Sequence, residues 1–207
     1  MEMLPFIDQP FHWRGTVENM DQIVLDEGID VTDTRNPNAR TETALKAGLA
    51  RGTEIATERG PVAVEDLKVG ERIVTFRGLK PLRRLTCSRF VPGREENPVL
   101  LRSGSALGNS RDLYVSPAQW LRVQDWHAQA LFGAGEVLVS ARDLVNGRTI
   151  SEVSVAVITY YHLNFDAQEM VQAEGCWCEC AGMRAVRRGI ECHMLPTLSA
   201  AETRALI

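Results

Sequence analysis

Residues 66–73 read DLKVGERI and residues 143–150 read DLVNGRTI, so Asp, Leu, Gly and Ile recur at matching positions 77 residues apart. Each copy follows a valine-containing run typical of a β-strand, at 62–64 and at 137–139. The shared pattern predicts a turn of helix begun at the aspartate, ended by a left-handed glycine and followed by a return to a strand. Although four matching positions can arise by chance, we interpret them as a duplication, which predicts two halves related by a pseudo-two-fold axis.

The rest of the chain around this repeat is dominated by strand signals. Short runs rich in β-branched and aromatic residues are bounded by Gly, Pro, Asn and Asp. They are Ile73–Phe76, Val99–Leu101, Leu113–Val115, Glu136–Val139 and Val153–Leu163. In 153–157 every second residue is apolar, which is the period of a half-buried strand. Near the C-terminus, Ser199 and Glu202 form a capping-box pattern that predicts a short helix through Leu206. The sequence therefore predicts an all-β protein with short helical turns and a small C-terminal helix.

Composition and charge restrict the class of protein further. The chain has 207 residues, of which 44% are hydrophobic and 24% charged, so neither a disordered chain nor a collagen-like fibre is expected. The net charge of −4 predicts no general attraction to nucleic acid or to membranes. The N-terminus lacks the pattern of a secretory signal, and we expect a cytoplasmic protein, with leaderless secretion left open.

The charge is unevenly distributed along the chain. Residues 1–47 contain nine acidic and four basic side chains, which predicts an acidic N-terminal arm ahead of the main domain. Residues 77–94 contain six basic side chains and no acidic one. We interpret this basic stretch as a solvated strand face, or as a partner of the acidic arm, rather than as a nucleic-acid site. Its members are Arg77, Lys80, Arg83, Arg84, Arg89 and Arg94.

Five blocks along the chain, taken together and in order, resemble the Hint (Hedgehog/intein) domain family, in its bacterial branch. They are GTEIAT at 52–57, VEDLKVG at 64–70, DLYVSP at 112–117, LVNGRTI at 144–150, and YHL at 161–163 with AEG at 173–175. The resemblance covers residues 48–175 and leaves 176–207 as a Cys-rich, partly helical tail. It implies an all-β horseshoe of two pseudo-symmetric halves.

The resemblance also implies a chemistry, because active members of the family cleave or splice their own backbone. A cysteine attacks the preceding carbonyl, and histidines deliver the proton that the leaving amide needs. Matched block by block, the nucleophile position is Gly48 and the two histidine positions are Gln119 and Gln168. Glycine has no nucleophilic atom and glutamine cannot titrate. The sequence therefore predicts a Hint fold without catalytic residues at these positions.

This prediction leaves three hypotheses about function. In the first, the chain is a binding or scaffolding module for an unknown protein partner, without self-cleavage. In the second, it processes itself through residues that the resemblance does not identify. His162 then has two interpretations, a hydrogen-bonded structural residue, which we favour, or a remaining proton donor.

The third hypothesis is a zinc-stabilised module. Cys176, Cys178 and Cys180 alternate along one strand face, and Cys192 or His193 could complete a tetrahedral set. Buried free thiols are the alternative, and we favour it because a C-x-C spacing suits a zinc chelate poorly. No nucleotide-binding or zinc-protease motif is present in the sequence, and no other cofactor is expected.

Overall fold

The chain folds into two β-sheets. The computed structural model describes residues 29–33, 47–93, 96–183 and 193–206, with the side chains of 29–33 left out of the description. In chain order the strands are β1 (Ile29–Asp33), β2 (Leu49–Ala50), β3 (Glu54–Thr57), β4 (Gly60–Ala63), β5 (Arg72–Thr75), β6 (Gly78–Pro81), β7 (Arg84–Phe90), β8 (Val99–Leu101), β9 (Leu113–Val115), β10 (Trp120–Gln124), β11 (Glu136–Ser140), β12 (Ile150–Glu152), β13 (Ile158–Asn164), β14 (Glu169–Ala173) and β15 (Cys176–Cys180). The described residues also form two short helices, α1 (Trp126–Phe132) and α2 (Ala200–Leu206).

The strands do not pair in sequence order. The first sheet has the order β1-β7-β13-β2-β9-β8-β12, and the second has the order β11-β10-β15-β14-β3-β5-β6, with β4 paired to β3. Strand β1 lies parallel to β7, and the other strand pairs are antiparallel. The predicted all-β class is confirmed.

Most of the core is one cluster of buried side chains contributed by both sheets, and it includes Ile55, Leu85 and Leu121. A second, smaller cluster of Ala50, Phe90 and Tyr160 involves β2, β7 and β13. Side chains alternate between the two faces of a strand. Strand β7 therefore places Leu85 in the main core and Phe90 in the small cluster. The small cluster borders the start of β2, where the candidate site lies.

Both copies of the sequence repeat adopt the same local structure. A 3₁₀ turn spans Val64–Asp66 in the first copy and Ala141–Leu144 in the second. The following glycines have φ values of 91° (Gly70) and 70° (Gly147), in the left-handed region, and a strand resumes after each one. One detail of the prediction is wrong, because each turn begins two residues before the aspartate. The aspartate lies inside the turn instead of capping it.

Two further predictions of local structure fail. Exposure alternates over residues 153–156 and the alternation ends at the exposed Val157; these residues form no strand, and β13 begins only at Ile158. Alternating apolar residues make a strand only where a neighbouring strand supplies hydrogen bonds. Conversely, residues 126–132, for which the sequence pattern predicts no element, form α1. The Asp125 side chain accepts a hydrogen bond from the backbone N–H of His127, and Gly133 ends the helix with φ 74°.

The C-terminal helix α2 is present as predicted. Glu202 Oε2 accepts hydrogen bonds from the Ser199 backbone N–H at 2.8 Å and from the Ser199 hydroxyl at 2.7 Å. In the part of the chain that the structure describes, no helix has the length and apolar character needed to cross a membrane. Of the predicted acidic arm, only 29–33 and Ala47 are described.

Candidate functional site

The peptide bond between Ala47 and Gly48 lies where β2 enters the first sheet, between β13 and β9. The two carbonyl groups flanking this position are both hydrogen-bonded. The Ala47 oxygen lies 2.7 Å from Nδ1 of His162, and the Gly48 oxygen accepts a hydrogen bond of 2.9 Å from the backbone N–H of Ser116. The Ala47–Gly48 peptide group is therefore held from β13, and the next peptide group, Gly48–Leu49, is held from the end of β9.

His162 links three segments of the chain. A carbonyl oxygen can only accept, so Nδ1 carries a proton and donates it to Ala47. In the neutral ring Nε2 is then an acceptor, and the Ser88 hydroxyl, 2.9 Å away, donates to it. This geometry agrees with a hydrogen-bonded structural histidine. A proton donor for the leaving amide would have to face the Gly48 nitrogen, whereas the Nδ1 contact is with the Ala47 oxygen.

Gly48 has no space for a side chain in this arrangement. A Cβ atom added there would lie 2.9 Å from Cβ of Tyr160 and 3.1 Å from Cε1 of His162. The first distance is too short to persist without movement, and the Cβ of a buried strand residue cannot swing aside. Tyr160 is fully buried, and its hydroxyl points to the Val115 carbonyl at 3.4 Å. The glycine thus permits a close approach of β2 to β13.

Gln119 and Gln168 stand at the two positions that the family resemblance assigns to histidines. Both make hydrogen bonds to backbone groups. Nε2 of the buried Gln119 donates to the backbone oxygens of Trp120, at 3.0 Å, and Glu179, at 2.8 Å. This side chain therefore ties the start of β10 to β15. Oε1 of Gln168 accepts a hydrogen bond of 3.1 Å from the backbone N–H of Gly182, beyond the end of β15. The Gln119 amide thus stabilises the second sheet, and the Gln168 amide stabilises the chain just beyond the end of β15.

The three cysteines of β15 are buried in the second sheet, which continues past the domain boundary that we placed at residue 175. Cys178 lies between Leu121 of β10 and Val171 of β14. Within residues 47–93, 96–183 and 193–206, no group of three His, Cys, Asp or Glu side chains is placed to hold a metal ion. Cys192 lies outside the described residues, so the zinc hypothesis in its full form stays a prediction.

His193, the other residue of the zinc hypothesis, instead contacts a buried carboxylate. Its Nδ1 lies 2.6 Å from Oε2 of Glu179, whose side chain is only 2% exposed. Oε1 of the same carboxylate accepts a hydrogen bond of 2.8 Å from the backbone N–H of Met194. The His193 ring also packs edge-on against Trp120, with centroids 4.7 Å apart. These contacts attach the C-terminal segment to β15 and β10.

Iodoacetamide at mildly alkaline pH is expected to leave the three thiols of β15 unmodified in the folded chain. Burial raises the pKa of Cys176 to about 12, and raises the pKa values of Cys178 and Cys180 as well. The thiolate is the form that reacts and that binds zinc, so both reactions are opposed at neutral pH. Peptide mapping by mass spectrometry, with urea-unfolded protein as the control, measures the modification. Alkylation of the folded chain at the rate of the unfolded one would contradict this.

Sequence reasoning missed Ser88 and Tyr160 as parts of the site. Ser88 is 74 residues from His162 in the sequence and reaches it only because β7 pairs with β13. In the register, Ser88 lies opposite Tyr160. No local motif marks such a contact. The only available signal was the strand pattern of both segments.

Comparison with known proteins agrees with the fold. A family model described as the Hint domain matches residues 47–184, which is more than half of the chain. The chain belongs to the Hint domain family, a family of autoprocessing-type domains. No curated protein matches the chain.

Solved structures similar to this chain include inteins and an intein-like domain. One is the solution structure of a bacterial intein-like domain from Clostridium thermocellum, with 17% identity over 64% of this chain and 96% of that one, at a TM-score of 0.45. Another is the crystal structure of a DnaB intein from Synechocystis sp., with 12% identity over 66% of this chain and 99% of that one, at a TM-score of 0.44.

Proposed function

We propose that this Hint domain does not cleave its own chain and acts as a binding or scaffolding module for another protein. The observation that carries the proposal is the packing around Gly48. The residue at the nucleophile position has no side chain, and the space for one is taken by Tyr160 and His162. Self-cleavage by an acyl shift needs a thiol or hydroxyl held against the carbonyl carbon of Ala47.

The nearest hydroxyl in this hydrogen-bonded group does not meet that need. Ser88 contacts Nε2 of His162, while Ala47 contacts Nδ1, so the imidazole ring lies between the hydroxyl and the carbonyl. A serine activated by histidine must itself reach the carbonyl carbon. The Ser88–His162 pair therefore supports a structural connection between β7, β13 and the start of β2.

The proton-donor positions support the same proposal. The amide groups of Gln119 and Gln168 cannot supply a proton to a leaving amide. Each is engaged with backbone groups elsewhere in the second sheet or beside it. General acid catalysis contributes about 10²–10⁴ in rate to such a step. Its loss, together with the missing nucleophile, supports a domain that keeps the fold and has given up the reaction.

The purified chain is expected to keep its full mass of 23.0 kDa during prolonged incubation with dithiothreitol or with hydroxylamine. If the acyl shift occurs, these nucleophiles cleave the thioester or ester that it forms and release the N-terminal fragment. We expect no such thioester or ester in this chain. Intact-chain mass spectrometry measures the result. Because hydroxylamine can itself cleave Asn–Gly bonds, the variant Asn146→Asp serves as the matched control for that reagent. A thiol-accelerated break at Ala47–Gly48 would refute the proposal.

A further inference from the structure

The outer edge of β7 carries a strand that is attached to the rest of the molecule at that edge alone. β1 is the terminal strand of the first sheet, and five consecutive residues pair in parallel with Leu85–Arg89. Among the described residues, β1 pairs with no other strand. On its other side β7 is paired along its whole length with β13, from Phe90–Ile158 to Arg84–Asn164. Removal of β1 would thus leave β7 fixed in the sheet.

We propose that the β7 edge is a strand-acceptor site, occupied within the chain by β1, that binds an extended acidic segment of a partner protein in the same parallel register. This inference rests on the proposed function, because it names the surface through which a binding module would act. An open strand edge presents a row of unpaired N–H and C=O groups that another chain can complete. Main-chain hydrogen bonds of this kind supply affinity, and side chains supply selectivity.

The acceptor strand is preformed. Leu85 and Phe90 are buried on opposite faces of β7, and Ser88 is held by its hydrogen bond to His162. Strand β7 therefore needs no reordering to receive a partner, which removes part of the entropic cost of binding. Its connection to the Ala47–Gly48 site runs through Ser88, so the structural role of His162 also keeps this edge rigid.

The chemistry of the expected partner follows from the two sequences that pair. β7 reads RLTCSRF, with two arginines and no acidic residue, and β1 reads IDVTD, with two aspartates and no basic residue. In the register, Asp33 lies opposite Arg89 and Asp30 opposite Thr86. Opposite charges across a strand pair stabilise it, and like charges destabilise it. The fitting partner is an extended segment that combines β-branched residues with carboxylates.

The connection after β1 is long enough for the strand to leave. Thirteen residues separate Asp33 from Ala47, and an extended chain of that length spans about 45 Å. A tethered occupant competes at high effective concentration, so β1 acts as an internal competitor of any partner. Only the small fraction of molecules in which β1 is released can bind a partner. The apparent affinity of the full chain for that partner is therefore lowered.

A labelled peptide of residues 27–35, EGIDVTDTR, tests this with the full-length chain. Val31→Pro removes a backbone N–H from β1 and disfavours its pairing. Fluorescence anisotropy is expected to show at least about tenfold tighter peptide binding to this variant than to the wild type, since the internal competitor is gone. Val31→Thr, which keeps a β-branched residue, is the matched control and should behave as the wild type. A scrambled peptide of the same composition should not bind.

Hydrogen exchange gives an independent measurement on the same proteins. In the Val31→Pro chain, the amides of β7 that face β1 should lose protection, while those that face β13 keep it, and added peptide should restore the loss. Equal binding of native and scrambled peptides, equal binding to both chains, or unchanged β7 exchange would overturn the proposal. If only the strand-acceptor proposal fails, the intact chain still keeps its mass of 23.0 kDa. A failure of the proposed function would instead appear as a broken chain.

Discussion

Replacement of Gly48 by alanine is expected to lower the free energy of unfolding by about 1–3 kcal/mol, the usual cost of overpacking a well-filled interior. The added methyl group would lie 2.9 Å from Cβ of Tyr160 and 3.1 Å from the His162 ring. Neither neighbour can move freely, because Tyr160 is fully buried and both ring nitrogens of His162 are hydrogen-bonded. Urea titration followed by circular dichroism measures the change.

Gly135→Ala is the matched control for this prediction. Gly135 does not have a positive φ, and the nearest atom to an added Cβ is Oε1 of the exposed Gln129 side chain, at 3.3 Å. That flexible group can move away, so Gly135→Ala should leave the free energy of unfolding unchanged or raise it slightly. Gly48→Cys, which restores a thiol at the nucleophile position, should lose at least as much stability as Gly48→Ala. Equal stability of the two alanine variants would show that the site has room for a side chain.

Removal of the His193 side chain is expected to have the second large effect, a loss of about 3 kcal/mol in His193→Ala. Deleting the hydrogen-bond partner of a buried polar group leaves that group unsatisfied, which costs about 1–3 kcal/mol and more for a carboxylate. Here the remaining group is the Glu179 carboxylate, 2% exposed, whose other polar contact within the described residues is the Met194 N–H. The upper end of this range applies because the side chain left without its partner, that of Glu179, is almost inaccessible to water.

The chain provides a control in a second histidine–carboxylate pair, which lies at the surface. Nδ1 of His127 lies 2.8 Å from Oδ1 of Asp125, and the two side chains are 49% and 31% exposed. Exposed pairs contribute about 0–1 kcal/mol, so His127→Ala should change stability little. Thermal and urea unfolding of both variants test the difference. A His193→Ala chain as stable as His127→Ala would contradict the role that we assign to the Glu179 contact.

The features that sequence predicted correctly are those fixed by near neighbours. The repeat at 66–73 and 143–150 needs only a short turn and a left-handed glycine, and both copies have them. The Ser199–Glu202 capping box is equally local. Helix α1 carried local signals too, in Asp125 and Gly133, but its seven residues are too few for a clear helical period.

The features that sequence did not predict depend on partners far along the chain. Residues 153–157 have the apolar period of a strand, but among the described residues no strand pairs with them. At the site, the identity of Gly48 showed that a nucleophile was missing, but nothing local showed that Tyr160 and His162 fill its place. The contact of Ser88 with His162 depends on the register of β7 against β13. Spacing in a single sequence carries no information about that register.

The most direct test of the central claim is the state of the Ala47–Gly48 bond itself. The native chain is incubated with dithiothreitol and then digested with a Glu-specific protease, which cleaves after Glu42 and after Glu54. This digestion should release the peptide 43–54, which contains the Ala47–Gly48 bond. We predict that this peptide is recovered in full yield, as from an untreated sample. A peptide that begins at Gly48 and grows with time in thiol would contradict the account.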